Sequence, residues 1–317
     1  MNRFFLSVII SLFGIGTVFS QFDAQFSQYM FNIPSFNPAA VGEGDLIQVM
    51  LQGRYQGLRD TTGTLGITTS NMGINSPLKI GNSTHGVGFR GVVDKLGLFS
   101  NNSMYLQYAY KAKLKSGTLS FGADVGETTV GFLGSKVNLA DIDEYHTLTD
   151  ARLPQSDVSG ARLDINVGAF YSSSEYFVGL SFSHITSPTI MWDKDKEYKV
   201  KGAVYLTGGF NYILPNKKYI LRPTTLIKSD YRSYQVDVST RLDYDNKYWG
   251  GLFCRLSGLG LYGGANLDNG LALGISYDLP TSKLYSGTLG TVEVLVSYNF
   301  AYVFEKRNTR YKSIRIL

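Results

Sequence analysis

Three histidines, one cysteine and one cluster of loop acids are the side chains of this sequence best suited to chemistry, and their spacing argues against most of it. His85, His146 and His184 lie far apart, with no neighbouring cysteine and no interval that suits a zinc or transition-metal site. Each reads as a solvated or interfacial side chain. A hydrolase or acyltransferase needs a nucleophile, a base and an orienting acid gathered at one place, and no such grouping is written into the chain. Asp141, Asp143, Glu144, His146 and Asp150 form the one dense group. They lack the spaced ligands and turn glycine of a calcium loop, so a charged, solvated loop is the simpler reading. Glycine-rich phosphate loops are missing too, because the glycines fall at strand-like positions. No catalytic, cofactor-binding or metal-binding residue is therefore assigned, and the sequence points away from an enzyme.

The elements that would carry such residues are strands. The chain has 317 residues with 35 Gly, 22 Tyr and 19 Phe but only 17% charged residues, a balance foreign to helical proteins. Apolar residues alternate with polar ones over long stretches. Val292, Val294, Val296, Tyr298, Phe300, Tyr302 and Phe304 oppose Glu293, Ser297 and Asn299; Met104, Leu106, Tyr108 and Tyr110 oppose Tyr105, Gln107, Lys111 and Lys113. The same rhythm recurs at 47–54, 163–171, 235–241 and 271–278. Period-two alternation fits a soluble sandwich with its apolar face inside or a transmembrane barrel with that face outside. Strands of roughly ten residues, aromatic strand ends (Tyr55, Tyr110, Tyr171, Tyr277) and alternating loop lengths favour the barrel.

About fourteen strands are expected between residues 46 and 304, with twelve as the alternative. Tight turns such as Lys115-Ser116, Ser173-Ser174 and Tyr244-Asp245-Asn246 alternate with long connections at 132–160, 187–199 and 280–289. This is the outer-membrane pattern, and it places both termini in the periplasm. Residues 72–84 break it, reading as a long link on the short-turn side. The leader fits this location. Met1-Asn2-Arg3 precedes an apolar run that ends at Val18-Phe19-Ser20, a signal-peptide pattern with expected cleavage after Ser20. The run is too short to span a membrane comfortably, and no cysteine follows it for lipidation. Cys254 alone cannot make an internal disulfide. A net charge of +5 without a basic stripe gives no reason to expect nucleic acid as a partner.

Between leader and barrel lies "QFDAQFSQYMFNIPSFNPAA", residues 21–40, whose aromatic residues and prolines suit neither a long helix nor a strand. Residues 21–45 are expected to fold into the barrel mouth or lumen as a plug, with a periplasmic docking peptide as the rival reading. Phe26, Tyr29, Phe31, Asn37 and Pro38 are the candidate plug or docking residues. Asp23 is expected to cap a short helical turn carrying Phe26, Tyr29 and Met30.

These residues resemble a known family. Asp23, Gln25, Phe26, Ser27, Gln28, Tyr29, Asn37, Pro38, Ala39 and Gly42 fit the N-terminal signature of the PorP/SprF family, outer-membrane proteins of the type IX secretion system of Bacteroidetes. "TVEVLVSYNF" (291–300) is similar to its final strand and "RYKSIRIL" (310–317) to its basic closing peptide. Ala40 stands where an aromatic is more usual, and Val292 where a histidine is. The resemblance implies a non-enzymatic part in export or surface display of cargo such as gliding adhesins, with the secretion machinery and the cargo's C-terminal domain as partners and outer-membrane lipid around the wall. Two contacts would serve it. One is the basic tail 305–317, with Arg310, Tyr311, Lys312 and Arg315 as its candidate residues; the other is the loop carrying Asp141, Asp143 and Glu144. A diffusion channel or hydrophobic-ligand transporter with an N-terminal hatch is the alternative.

Overall fold

The computed structural model describes residues 23–56, 67–136, 154–193, 196–256, 258–281 and 290–301. Strands β1 (Ile47–Gln56), β2 (Ile67–Ile80), β3 (Ser83–Leu96), β4 (Phe99–Leu114), β5 (Gly117–Leu133), β6 (Asp157–Ser172) and β7 (Tyr176–Ser183) make one half of the wall. The other half comprises β10 (Ala203–Phe210), prolonged by β11 (Tyr212–Ile213), then β12 (Tyr219–Ser229), β13 (Tyr234–Tyr244), β14 (Tyr248–Arg255), β15 (Gly258–Asn266), β16 (Leu271–Pro280) and β17 (Thr291–Phe300). Between the halves, β8 (Thr189–Asp193) and β9 (Lys196–Lys199) form a separate hairpin.

Every wall strand pairs antiparallel with its chain neighbours, and β1 pairs with β17 from Ile47–Phe300 to Gln56–Thr291. β10 bridges β7 and β12. The result is a closed fourteen-stranded antiparallel barrel. Closure satisfies every ladder against a neighbour, which is what a lipid-facing sheet requires. A sandwich is excluded by the same pairing, because its two sheets would keep open edges.

Alternation sets the two faces. Leu51, Met104, Leu106, Phe121, Leu163, Leu252 and Ile275 are exposed on the outside, whereas Gln52, Gln107, Asp124, Asp164, Asn166, Asp237 and Glu293 are buried within. This inside-out distribution belongs to a barrel surrounded by hydrocarbon. Tyr110, Tyr176, Tyr212, Tyr244, Tyr248 and Tyr298 gather near one rim, where an amphipathic ring gains from lying between tails and headgroups. That rim carries only short turns: 81–82, 115–116, 173–175, 214–218, 245–247 and 267–270. The opposite rim carries the connections 57–66, 134–156, 184–202 and 281–290 along with shorter ones.

Residues 72–84 are not a long link. β2 continues through Pro77 to Ile80 and turns at Gly81, so the short-turn rule holds there as elsewhere. The proline misled because it cannot donate a ladder bond; it is tolerated here beyond Asn75, where pairing with β1 has ended. The expected loop 187–199 likewise contains the β8–β9 hairpin. The leader, the acidic cluster at 141–150 and the tail from 302 onward lie outside the described residues.

Candidate functional site

The lumen is where polar chemistry is concentrated, and the chain's own residues 23–46 occupy it. They form three single 3-10 turns, Tyr29–Phe31, Ile33–Ser35 and Pro38–Ala40, rather than the helical turn expected after Asp23. Pro34 and Pro38 sit within the first two positions of the second and third turns, where their missing N–H breaks continuity with the residues before, and wall side chains take backbone groups that a longer helix would pair internally.

Asp23 does not cap. Its carboxylate accepts from His184 Nε2 at 2.8 Å and from the Tyr205 hydroxyl at 2.9 Å. The other ring nitrogen of His184 faces Asp164 Oδ2 at 2.5 Å, and Asp164 also accepts from the Tyr105 hydroxyl. His184 is thus clasped between two carboxylates and is 6% exposed, where a solvated or interfacial side chain was expected. Burial lowers its pKa, but the Asp23 charge and the bonds to Asp164 and Asp23 outweigh that and push it up to about 10. With both nitrogens engaged by carboxylates, His184 has no free lone pair to activate a nucleophile; the arrangement holds two pieces of chain together.

A second node surrounds Ser27. Glu293, fully buried, accepts the backbone N–H groups of Ser27 at 2.7 Å and Gln28 at 3.0 Å. The Ser27 hydroxyl donates to Asp278 at 2.6 Å, and Arg54 bridges Ser27 and Asp278 at 2.9 Å each. Arg255 stands 3.7 Å from Asp278 and 3.8 Å from Asp237. These pairings resolve the inward-facing charges of the alternating pattern: Arg54 with Asp278, Arg90 with Asp124 at 3.1 Å, Arg241 with Asp243 and Lys111 with Glu43.

Aromatic packing follows. Tyr29 is 3% exposed and donates to the Thr224 carbonyl at 3.0 Å, while Phe31 packs on Trp249 with centroids 4.4 Å apart under the Arg241 guanidinium. Phe26 is buried as well. Lower in the lumen, the Asn37 side chain accepts from Ala39 N–H, starting the turn at Pro38, and donates to the Ala169 carbonyl. Gly42 holds φ +63°, and a Cβ there would fall 2.6 Å from the Ser76 carbonyl oxygen. Wall glycines make the seat: a Cβ on Gly122 would lie 2.5 Å from Ala39 N.

Of the residues singled out in the sequence, Phe26, Tyr29, Phe31, Asn37 and Pro38 are thus brought together in the lumen. Asp141, Asp143, Glu144, Arg310, Tyr311, Lys312 and Arg315 lie outside the described residues. Sequence reasoning missed the partners His184, Asp164, Asp278 and Trp249; the acids' inward register within their strands was the available signal. The described chain also starts and ends at opposite rims, since Asp23 meets residues at the long-connection rim while Ala301 follows β17 at the short-turn rim. The two chain ends, for which the loop pattern suggested a common side, lie outside the described residues, before Asp23 and beyond Ala301.

Comparison with known proteins adds the following. No curated protein matches the chain at a significant level. Among solved structures, the toluene transporter TbuX of Ralstonia pickettii is similar at 12% identity and a TM-score of 0.48, covering 87% of this chain and 93% of its own. The translocator domain of the autotransporter NalP from Neisseria meningitidis is similar at 12% identity and TM-score 0.41, covering 82% and 89%. The monoaromatic hydrocarbon channel CymD gives 10%, 0.47, 91% and 95%. The family described as "Type IX secretion system membrane protein PorP/SprF" matches residues 18–298. That span takes in the lumenal segment and nearly the whole wall, and the chain belongs to the PorP/SprF family of type IX secretion system membrane proteins.

Proposed function

We propose that the barrel is a non-enzymatic outer-membrane component of type IX secretion that supports export or surface attachment of particular cargo proteins, such as large adhesins. The observation that supports this best is a family match over 18–298 combined with a lumen occupied by the chain's own residues 23–46, tied to strands on all sides. A barrel filled in this way offers its rims, not a pore, to partners. Residues 21–45 serve as its plug. Short turns face the periplasm, as in outer-membrane barrels generally, and the long connections face outward.

Two partner contacts follow from charge. The tail after Phe304 carries Lys306, Arg307, Arg310, Lys312 and Arg315 against Glu305 and suits an acidic protein surface of the machinery or cargo. The loop with Asp141, Asp143 and Glu144 offers the opposite charge on the outer face. The test is purification of the tagged protein from its native outer membrane in mild detergent, with mass spectrometry of what accompanies it. Type IX components or a large secreted protein with a C-terminal sorting domain are expected. Recovery of the barrel alone in good yield would sink the docking role and shift the reading to transport.

A further inference from the structure

The contacts of the lumenal segment have a direction. Asp23 is bound by His184, the residue after β7, and by Tyr205, near the start of β10; both stand at the long-connection rim. Ser27 meets Asp278 near the end of β16 and Glu293 near the start of β17, at the same rim. Asn32 then reaches Gln52 midway along β1. Asn37 donates to Ala169 late in β6, Gly42 to Asn75 late in β2, and Glu43 pairs with Lys111 late in β4 and with Ser172 at the end of β6. Those last positions all lie toward the short-turn rim, where β1 begins at Ile47. β17 ends at Phe300, directly opposite Ile47.

We propose that the chain threads the lumen from the long-connection face to the short-turn face, so that its processed N-terminal end is presented on the side of the membrane opposite the C-terminal tail. A hatch that merely folded in from the short-turn side would leave Asp23 beside β1, with no reach to His184. Reversal of the path is blocked by the seats along it. A Cβ on Gly86 would fall 2.0 Å from the Val41 carbonyl oxygen, and one on Gly168 would fall 2.2 Å from Asn37 Oδ1, so these stretches lie flush on the wall at fixed heights. Beside the start of the thread is a cavity of about 350 Å³ lined by Asp23, Ala24, Asp94, Ser103, His184 and Lys201, among others. With long connections outward, the orientation on which this proposal rests, the N-terminal end becomes part of the cell-surface face offered to cargo.

Two measurements separate the path from the orientation. In a Cys254→Ser background, Ala24→Cys and Ser103→Cys, which line that cavity while leaving the Asp23–His184 clasp intact, are joined in native membranes by a short thiol-specific cross-linker. Threading requires an intramolecular product. Its absence in a barrel that still shows heat-modifiable migration overturns the path. Epitope tags are then placed ahead of Gln21 or after Leu317 in the full chain and probed by antibody on intact and on permeabilised cells. The expected result is N-terminal binding on intact cells and C-terminal binding only after permeabilisation. Cross-linking with the reverse tag pattern overturns outward presentation and the orientation with it. Two tags hidden on intact cells, or two exposed, overturn the opposite-side placement.

Discussion

At the residue scale, Glu293 shows how this lumen holds its contents. It sits on the inward register of β17, fully buried, and its two oxygens take two consecutive backbone donors of the segment with Arg54 at 3.8 Å. An acceptor that satisfies buried N–H groups costs far more to remove than the bond gained on forming it, because the donors stay behind unpaired. Glu293→Ala is expected to lower stability by about 2–3 kcal/mol. Equilibrium urea unfolding in lipid vesicles measures it, and an unmoved midpoint would show that water replaces the carboxylate freely. The N-terminal signature has a plain basis at this scale too: Gln25 bonds to Asp237, Ser27 and Gln28 to Glu293, Tyr29 to Thr224 and Asn37 to Ala169, while Gly42 supplies a left-handed turn.

At the scale of the element, the lumenal segment is fixed by a clasp and by a seat. The clasp is titratable. His184, just beyond the end of β7, has its pKa raised from 6.5 to about 10, so its contribution is complete below pH 6.5 and is lost as pH rises through 10. Hydrogen exchange of residues 23–28 should therefore speed up between pH 7 and 10 beyond the intrinsic base-catalysed rate, and His184→Gln should abolish that excess. An excess that persists in the variant would place the titrating group elsewhere. The seat is steric. Gly122→Val puts a branched side chain where Ala39 N already lies within 2.5 Å of a Cβ. The barrel should still form and migrate heat-modifiably, while single-channel conductance in planar bilayers rises above that of the parent. An unchanged conductance would mean that the turn at Pro38–Ala40 shifts without opening a path.

Across the whole molecule, closure and filling are separate achievements. Fourteen paired strands make the wall, and residues 23–46 occupy its interior without adding a strand to it. Deleting residues 21–42 is thus expected to leave a membrane-inserted barrel that renders liposomes permeable to small solutes, whereas the full chain does not. Equal permeability of the two would argue that the wall itself narrows the lumen. Deleting 306–317 should leave insertion and heat modifiability intact but impair cargo display, scored by surface labelling; undiminished display would remove the tail from the partner interface.

Period-two alternation determined which residues share a face of each strand, because one residue of register moves a side chain to the other side, and strand length, aromatic strand ends and alternating loop lengths turned that pattern into a barrel. Turn chemistry nearly determined the strand count. It failed at 72–84, where Pro77 carries a loop signal that the end of the β1 ladder renders harmless, and it did not register the β8–β9 hairpin within 187–199. The aromatic segment at 21–40 announced that it must be buried, since its rings have no strand or long helix of their own to pack on. Where it is buried, and in which direction it runs, only the tertiary structure decided. His184, Asp164, Asp278 and Glu293 are distant in sequence from the backbone they hold, and their meeting depends on closure of the sheet, a long-range geometry that no local spacing encodes.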